Sequence, residues 1–324
     1  METKDFPYIG GISQLVELPH QCTLVASPSV AYIIDQSGET LLLDDDETES
    51  YMLSPRFATT HSQNGLTNLG NDGIIRRWNL NGQLTGRYPV GNLQPTSGVK
   101  VNSLVINTEL LISSHSNGMV QIMNSKGKLQ YQIRPFTKSR INKQDAYNLL
   151  NINQEEVVIT GAKGLSFHNL KIQKSHTIEG DSCYFAALHP SGNIVTASES
   201  TVHFWSTKKR EKLYEFEVKD TQSKLGHQKE VTALTVDQEG NIFTADEQGE
   251  IHKWGQEGQW KGRLLGDFVS GQNKEIYSLQ MTSVGNLVAG LRNQIQNWQK
   301  NLSPMDNCEI VSFDEERNKR QSIE

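Results

Sequence analysis

The chain has few of the residues on which disulfide-stapled or zinc-stabilised folds depend. Its 324 residues include only three cysteines, Cys22, Cys183 and Cys308, and none lies in a CxxC or CxxH spacing. An odd number of widely separated cysteines does not make a disulfide framework, and it lacks the paired ligands of a structural zinc site. We therefore expect reduced, mostly buried thiols and no bound metal or cofactor.

Long hydrophobic runs and concentrated basic charge are also missing. No segment has the roughly 18 consecutive apolar residues of a membrane span, and the N-terminus lacks the pattern of a signal peptide. The formal net charge is −6, without a basic stripe, which disfavours nucleic acid and anionic lipid as partners. These absences predict a cytoplasmic protein with no membrane span.

Catalytic motifs are absent as well. There is no GxSxG elbow, HExxH pair, P-loop or glycine-rich dinucleotide fingerprint. The acidic run Asp44–Glu47 lacks the alternating ligands and glycine-enabled turn of a calcium loop, so we expect a solvated loop there. The sequence therefore predicts a protein that is not an enzyme.

What the sequence does contain is a repeat, clearest at residues 72–84 and 248–260, where a turn precedes a strand that ends in Trp. We call the last large residue of this strand the anchor. Seven anchors are separated by 37 to 49 residues, with a mean of 44, which is the period of propeller blades. The residue three positions before each anchor is always apolar. The anchors are Ile34, Trp78, Met123, His168, Trp205, Trp254 and Trp298.

Each repeat holds four short apolar runs separated by Gly, Asn and Asp turns, and no stretch shows a helical period. One four-stranded antiparallel sheet cannot bury both of its faces, whereas a closed ring of such sheets can. We predict an all-β, seven-bladed β-propeller over residues 1–313, followed by a disordered charged tail at 314–324. The outer strand of the last blade could come from Phe6–Ile9 or from Cys308–Phe313, and we favour the N-terminal segment.

The repeat resembles the WD40 family over about residues 10 to 300. The resemblance is carried by the Trp anchors, by the Gly226-His227 pair, by Asp72 six residues before Trp78, and by Asp35 after an anchor. These family residues are sparse, so we expect the family's His–Ser/Thr–Asp–Trp hydrogen-bond network to be incomplete in every blade. The resemblance implies a non-catalytic scaffold that binds other proteins.

Two longer connections between blades, residues 134–143 and 219–229, lead into a first strand, on the face where such propellers usually bind partners. The first connection combines one aromatic residue with several cations, a composition that suits an acidic peptide or a phosphate. The alternative is a variable, solvated loop. The candidate partner-binding residues are Phe136, Lys138, Arg140 and Lys143.

Several polar residues lie on the third strands. His203 and His252 each precede a Trp anchor by two residues, and we expect hydrogen bonding rather than a shared metal. We expect His168 to be a buried, hydrogen-bonded substitute for Trp. Residues 77, 253 and 297, directly before anchors, could mark a binding groove, or their stems could cover apolar surface.

The preferred interpretation is a scaffold or adaptor that binds a protein or peptide through the inter-blade loops. The alternative is an enzyme or small-molecule binder that uses the central channel, similar to lactonase- or lyase-like propellers. That alternative requires inward-facing polar residues on several first strands and a bound metal.

Overall fold

A computed structural model describes residues 11–27, 31–35, 40–43, 56–60, 65–70, 72–90, 99–136, 146–219, 226–265, 274–292, 294–298 and 308–312. Residues 6–9, the acidic run at 44–47 and the tail at 314–324 lie outside these ranges. Within them the chain forms β-strands and one short 3-10 turn, Pro19–Gln21, and no helix long and apolar enough to cross a membrane.

The strands form seven four-stranded sheets, which we number as blades in chain order. Blade 1 contains β1 (Gln14–Glu17), β2 (Thr23–Ala26), β3 (Ala31–Ile34) and β4 (Thr40–Leu42), and blade 2 contains β5 (Arg56–Thr60), β6 (Gly65–Leu69), β7 (Ile74–Asn79) and β8 (Leu84–Pro89). Blade 3 contains β9 (Val101–Asn107), β10 (Leu110–His115), β11 (Val120–Asn124) and β12 (Leu129–Ile133), and blade 4 contains β13 (Ala146–Asn153), β14 (Glu156–Gly161), β15 (Gly164–Asn169) and β16 (Lys174–Glu179). Blade 5 contains β17 (Phe185–Leu188), β18 (Ile194–Ala197), β19 (Thr201–Ser206) and β20 (Glu211–Glu217). Blade 6 contains β21 (Val231–Val236), β22 (Ile242–Asp246), β23 (Glu250–Trp254) and β24 (Trp260–Leu265), and blade 7 contains β25 (Ser278–Met281), β26 (Leu287–Gly290), β27 (Gln294–Trp298) and β28 (Cys308–Ser312).

Every blade is a meander of four consecutive antiparallel strands. The turns use glycines with positive φ, for example Gly192 and Gly240 between the first and second strands of blades 5 and 6. The predicted all-β, seven-bladed propeller with four-stranded antiparallel blades is therefore confirmed.

The two sides of each third strand pack against different neighbours. Trp254 packs on Val202 and Phe204 of the preceding blade, whereas Ile251, three residues earlier, packs with Leu279 and Ala289 of the following blade. Successive side chains of a strand point to opposite faces, so an odd spacing of three must separate them in this way. The anchor and the apolar residue three positions before it therefore belong to the two opposite interfaces of a blade.

The outer strand of blade 7 comes from the C-terminal region. Strand β28 pairs antiparallel with β27, from Gln294 opposite Ser312 to Trp298 opposite Cys308. The place expected for residues 6–9 beside β27 is therefore filled, and the preference for closure by the N-terminal segment is wrong. Each blade, including the first and the last, is built from strands that are consecutive in sequence.

Closure of the ring instead depends on contacts between blades 1 and 7. The backbone N–H of Ile12 donates to the carbonyl oxygen of Leu291 at 2.8 Å, and the Ser278 hydroxyl donates to the carbonyl oxygen of Ile12 at 2.7 Å. On the opposite face the Glu17 carboxylate accepts from the backbone N–H and the hydroxyl of Ser283, at 2.7 and 2.6 Å. The bonds made by Ser278 and Ser283 join residues that are 266 positions apart in the sequence.

Candidate binding face and central channel

The first strands of adjacent blades contact one another and surround a central channel. The channel has a volume of about 870 Å³, and described side chains of blades 1, 3, 4, 5, 6 and 7 line it. We call the face at which the first strands begin the upper face and the opposite one the lower face. A rigid concave site whose lining comes from many separate strands is typical of a ligand or partner site.

Aromatic side chains surround part of the upper mouth of the channel. Tyr147 of blade 4 and Tyr184 of blade 5 contact each other, with ring centroids 4.9 Å apart. Tyr277 of blade 7 also lines the channel, and its ring lies so close to Gly11 that a Cβ atom there would approach the ring within 2.5 Å. All three tyrosines are half-buried, so each presents part of its ring to the channel.

Carboxylates complete the upper mouth. Glu199 lies in the turn between β18 and β19, Glu230 directly precedes β21, and Glu275 lies three residues before β25. The Tyr184 hydroxyl donates to the Glu199 carboxylate at 3.4 Å. Three consecutive blades therefore each contribute one negative charge to the same opening.

The wall between blades 3 and 4 is fixed by amide and hydroxyl groups. Asn102 donates from its side-chain amide to the carbonyl oxygen of Ala146 at 2.9 Å. Ser103 donates from its hydroxyl to the Asn148 side-chain carbonyl at 3.3 Å and accepts from the backbone N–H of Leu149 at 3.2 Å. Since Asn102, Ser103 and Asn148 all line the channel, these bonds set its shape on this side.

The residues predicted to bind a partner fall into two groups. Phe136 is only 5% exposed and packs with Val120, Ala146 and Leu149 between blades 3 and 4. The phenyl ring therefore holds the start of the connection to β13 against the core. Lys138, Arg140 and Lys143 lie outside the described residues, in the part of the sequence that connects β12 to β13.

Blade 6 contains a complete four-residue hydrogen-bond network. His227 contacts the Asp246 carboxylate through Nδ1 at 3.0 Å and the Thr244 hydroxyl through Nε2 at 2.7 Å, and the Trp254 indole N–H donates to the same hydroxyl at 2.8 Å. The expectation that this network is incomplete in every blade is therefore wrong for blade 6. The carboxylate belongs to the last residue of β22, eight positions before Trp254, and not to the position six residues before it.

Two other Trp anchors keep only part of this arrangement. The Trp205 indole donates to the Thr196 hydroxyl at 2.8 Å, and that hydroxyl donates to the Cys183 sulfur at 3.4 Å. Trp78 donates instead to the side-chain carbonyl of Asn68 at 2.8 Å. A buried indole N–H requires an acceptor, and in each case the second strand supplies one.

The three histidines singled out in the sequence are buried. His168 contacts the Tyr131 hydroxyl of blade 3 through Nε2 at 3.1 Å and the Ser175 hydroxyl through Nδ1 at 2.9 Å, and burial lowers its pKa. His203 contacts the Glu215 carboxylate at 3.1 Å, and burial lowers its pKa too. His252 accepts from the Trp260 indole N–H at 3.1 Å. These contacts are hydrogen bonds within blades or between adjacent blades.

The polar residues directly before three of the anchors make different contacts. The Arg77 guanidinium donates to the carbonyl oxygen of Ser125 at 2.6 Å, which links blades 2 and 3. The Lys253 ammonium lies 5.4 Å from the centroid of the Phe243 ring in its own blade. Asn297 has a buried side-chain oxygen. Arg77 therefore links two blades, and Lys253 makes its contact within its own blade.

One group of described residues has a geometry that could hold a metal. Ligand atoms of Asp181, His203 and Glu215 lie within 4.8 Å of one another on the outer side of blade 5. The Lys212 ammonium, however, contacts Glu215 at 2.5 Å and Asp181 at 3.8 Å. One ammonium group already pairs with both carboxylates, so we assign the cluster to charge pairing. It lies outside the channel lining.

Comparison with known proteins gives likeness in structure alone. No protein-family model matches the chain, and no curated protein matches it in sequence. A chain in the crystal structure of the mitotic checkpoint complex is 13% identical with a TM-score of 0.71, and the match covers 92% of this chain and 93% of that one. The WD40 β-propeller domain of Doa1 is 14% identical with a TM-score of 0.70, covering 93% and 97%. The chain therefore has the seven-bladed fold of WD40 β-propellers.

Proposed function

We propose that the protein is a non-catalytic scaffold or adaptor that binds a segment of another protein across its upper face. The observation that carries this proposal is the channel mouth, where tyrosines and carboxylates from blades 4 to 7 converge on one opening. The residues Lys138, Arg140 and Lys143 precede β13 in the chain, and we include them in the proposed face.

Rigidity supports this role. Adjacent blades are joined by apolar interfaces and, between blades 3 and 4, by hydrogen bonds beside the channel. A preformed surface loses little conformational entropy when a partner binds, and aromatic side chains contribute much of the binding energy of protein interfaces. A ring whose turns vary independently of its core is suited to recognition.

The channel lining also bears on the catalytic alternative. Among the described lining residues the ionisable side chains are glutamates and tyrosines, and no histidine, cysteine or aspartate joins them. This set lacks the mixed donors that a zinc or transition-metal centre prefers. We therefore favour binding over catalysis, and we propose a cytoplasmic site of action.

Site-specific photo-crosslinking tests the proposed face. A photoreactive amino acid at position 184, on the upper face, should capture a partner, whereas the same group at Lys171, an exposed lower-face residue, should not. Equal capture at both positions, or capture only at position 171, would contradict the proposal. An excess of the same chain without the photoreactive group should abolish the crosslink, which establishes specificity.

A substitution test addresses the loop. Lys138→Ser, Arg140→Ser and Lys143→Ser together should weaken partner capture. The matched control removes three exposed lysines from lower-face turns, by Lys126→Ser, Lys171→Ser and Lys209→Ser. Both triple variants change the net charge equally, so a general charge effect would appear in both. Phe136 is left unchanged because its side chain belongs to the core.

A further inference from the structure

We infer that the upper mouth of the channel takes a Lys or Arg side chain of the bound protein segment. The inference rests on the proposed function and specifies the chemistry of the partner at that site. It assigns the partner's cation to the opening formed by Tyr147, Tyr184, Glu199, Glu230 and Glu275.

Charge is the first argument. Glu199, Glu230 and Glu275 come from three consecutive blades, and among the described side chains that line the channel there is no lysine or arginine. Carboxylates at the rim of a cleft with protein walls focus a negative potential into it, because the walls screen less than water does. These three carboxylates attract a cation that enters the mouth, and they repel a carboxylate or phosphate.

Aromatic geometry is the second argument. The rings of Tyr147 and Tyr184 contact each other at 4.9 Å, and the hydroxyl of Tyr184 is held by Glu199 at 3.4 Å. A tyrosine ring face attracts an ammonium or guanidinium group within about 6 Å of its centroid. Ring and carboxylate thus lie side by side, which lets one cation contact both.

Size and polarity are the third argument. A channel of about 870 Å³ is large enough for a long side chain and its hydration water. The channel walls also carry amide groups, since Gln14 and Gln280 are among the lining residues. The site therefore suits a long side chain with several N–H donors better than an apolar one.

Peptide display tests the inference without knowledge of the natural partner. A library of random twelve-residue peptides is selected against the full chain, and selected peptides are measured by fluorescence anisotropy. We expect the selected peptides to share a Lys or Arg. Replacing that residue by Gln should weaken binding at least about tenfold, and so should raising the NaCl concentration from roughly 0.05 M to roughly 0.5 M. Selection of peptides without a required cation, or of none at all, would overturn the inference.

Charge-neutral variants locate the site. Glu199→Gln, Glu230→Gln and Glu275→Gln together should weaken these peptides about tenfold or more. The control variant carries Glu155→Gln, Glu211→Gln and Glu257→Gln, which change the net charge equally at exposed positions near the lower face. If both triple variants bind alike, the cation does not enter the mouth. An unchanged circular dichroism spectrum and thermal midpoint exclude misfolding as the cause.

The two proposals fail in different ways. If crosslinking places the partner on the upper face but the three Glu→Gln changes leave binding unaltered, the face stands and the cationic specificity falls. If crosslinking places the partner elsewhere, the proposed function itself falls. Tyr184→Phe removes only the hydroxyl, whereas Tyr184→Ala removes the ring as well. We expect the Phe variant to keep peptide binding and the Ala variant to weaken it.

Discussion

The imidazole rings of His227 and His252 lie in contact inside blade 6, with centroids 4.3 Å apart. The side chains of both residues are completely buried. His252 accepts a hydrogen bond from Trp260, so one of its ring nitrogens must be unprotonated. Burial and then the nearby His227 lower the pKa of His252 to about 4. A neutral imidazole is therefore part of the folded structure.

This contact predicts a loss of stability in mild acid. Burial also lowers the pKa of His115 to about 4, from an ordinary value of 6.5. The unfolded chain binds these protons near pH 6.5 and the folded chain only near pH 4, so stability is complete above pH 6.5 and falls as pH decreases toward 4. Each histidine contributes a loss of roughly 3 kcal/mol by pH 4.

Urea unfolding at pH 7.5, 6.0 and 5.0 measures this effect. The variant His252→Gln should be less stable at neutral pH but should show a shallower decrease with acidity, because one of the titrating groups is gone. An identical pH dependence in both proteins would contradict the assignment to His252.

The hydroxyl of Thr244 contacts two buried groups, the Trp254 indole N–H and the Nε2 atom of His227, and its removal should be costly. Thr244→Val keeps the shape of the side chain but leaves the Trp254 indole N–H and the His227 ring without this partner. Each unsatisfied buried polar group costs about 1–3 kcal/mol, so we expect a loss of roughly 2–6 kcal/mol in the free energy of unfolding.

Blade 5 supplies the matched comparison. Thr196→Val removes the acceptor of the Trp205 indole, while the other partner is a cysteine sulfur, a weak hydrogen-bonding group. We expect a smaller loss, nearer 1–3 kcal/mol, in the same denaturant titration. If Thr196→Val proves the more damaging, then the larger contribution that we assign to the Thr244 hydroxyl is wrong.

These features show what the sequence could predict. The ring follows from spacing, because each anchor and the apolar residue three positions before it must face different neighbours. That pattern depends on strand geometry and survives replacement of Trp by Met123 or His168. The number of blades was therefore readable even where the motif residues had changed.

The network and the channel mouth were not readable in the same way. Asp246 reaches His227 from the end of a strand, and only its pairing in space shows that the four residues meet. Glu199, Glu230 and Glu275 are separated by 31 and 45 residues in the sequence, and each alone looks like an ordinary surface charge. The separation of Glu230 and Glu275 is close to the blade period of 44 residues, and this was the sequence signal that could have placed them at equivalent positions of two blades.

Gly164 occupies a position that no other residue fits. Its φ is +112°, and a Cβ atom would lie 2.2 Å from the backbone carbonyl oxygen of Ile178 on the paired strand β16. Gly164→Ala should therefore force strands β15 and β16 apart and cost several kcal/mol, about 3 or more. Thermal unfolding followed by circular dichroism measures the loss.

Gly192 is the control for backbone conformation. Its φ is +81°, but nothing lies within 4 Å of a Cβ atom built there. Gly192→Ala introduces strain without a collision, and we expect a cost of about 1 kcal/mol. Equal losses in the two variants would show that the backbone at Gly164 relaxes to accommodate the methyl group.

The C-terminal strand is the last element needed for a complete ring. Ending the chain after Asn307 removes β28 and leaves the outer edge of β27 without its ladder partner. An unpaired edge strand with exposed backbone N–H and carbonyl groups favours association with other chains. We expect the truncated protein to have a lower thermal midpoint and to elute as oligomers in size-exclusion chromatography. Deletion of residues 1–10 removes no strand of the described sheets, so it should change both properties much less, and the reverse order of effects would show that the N-terminal segment closes the ring after all.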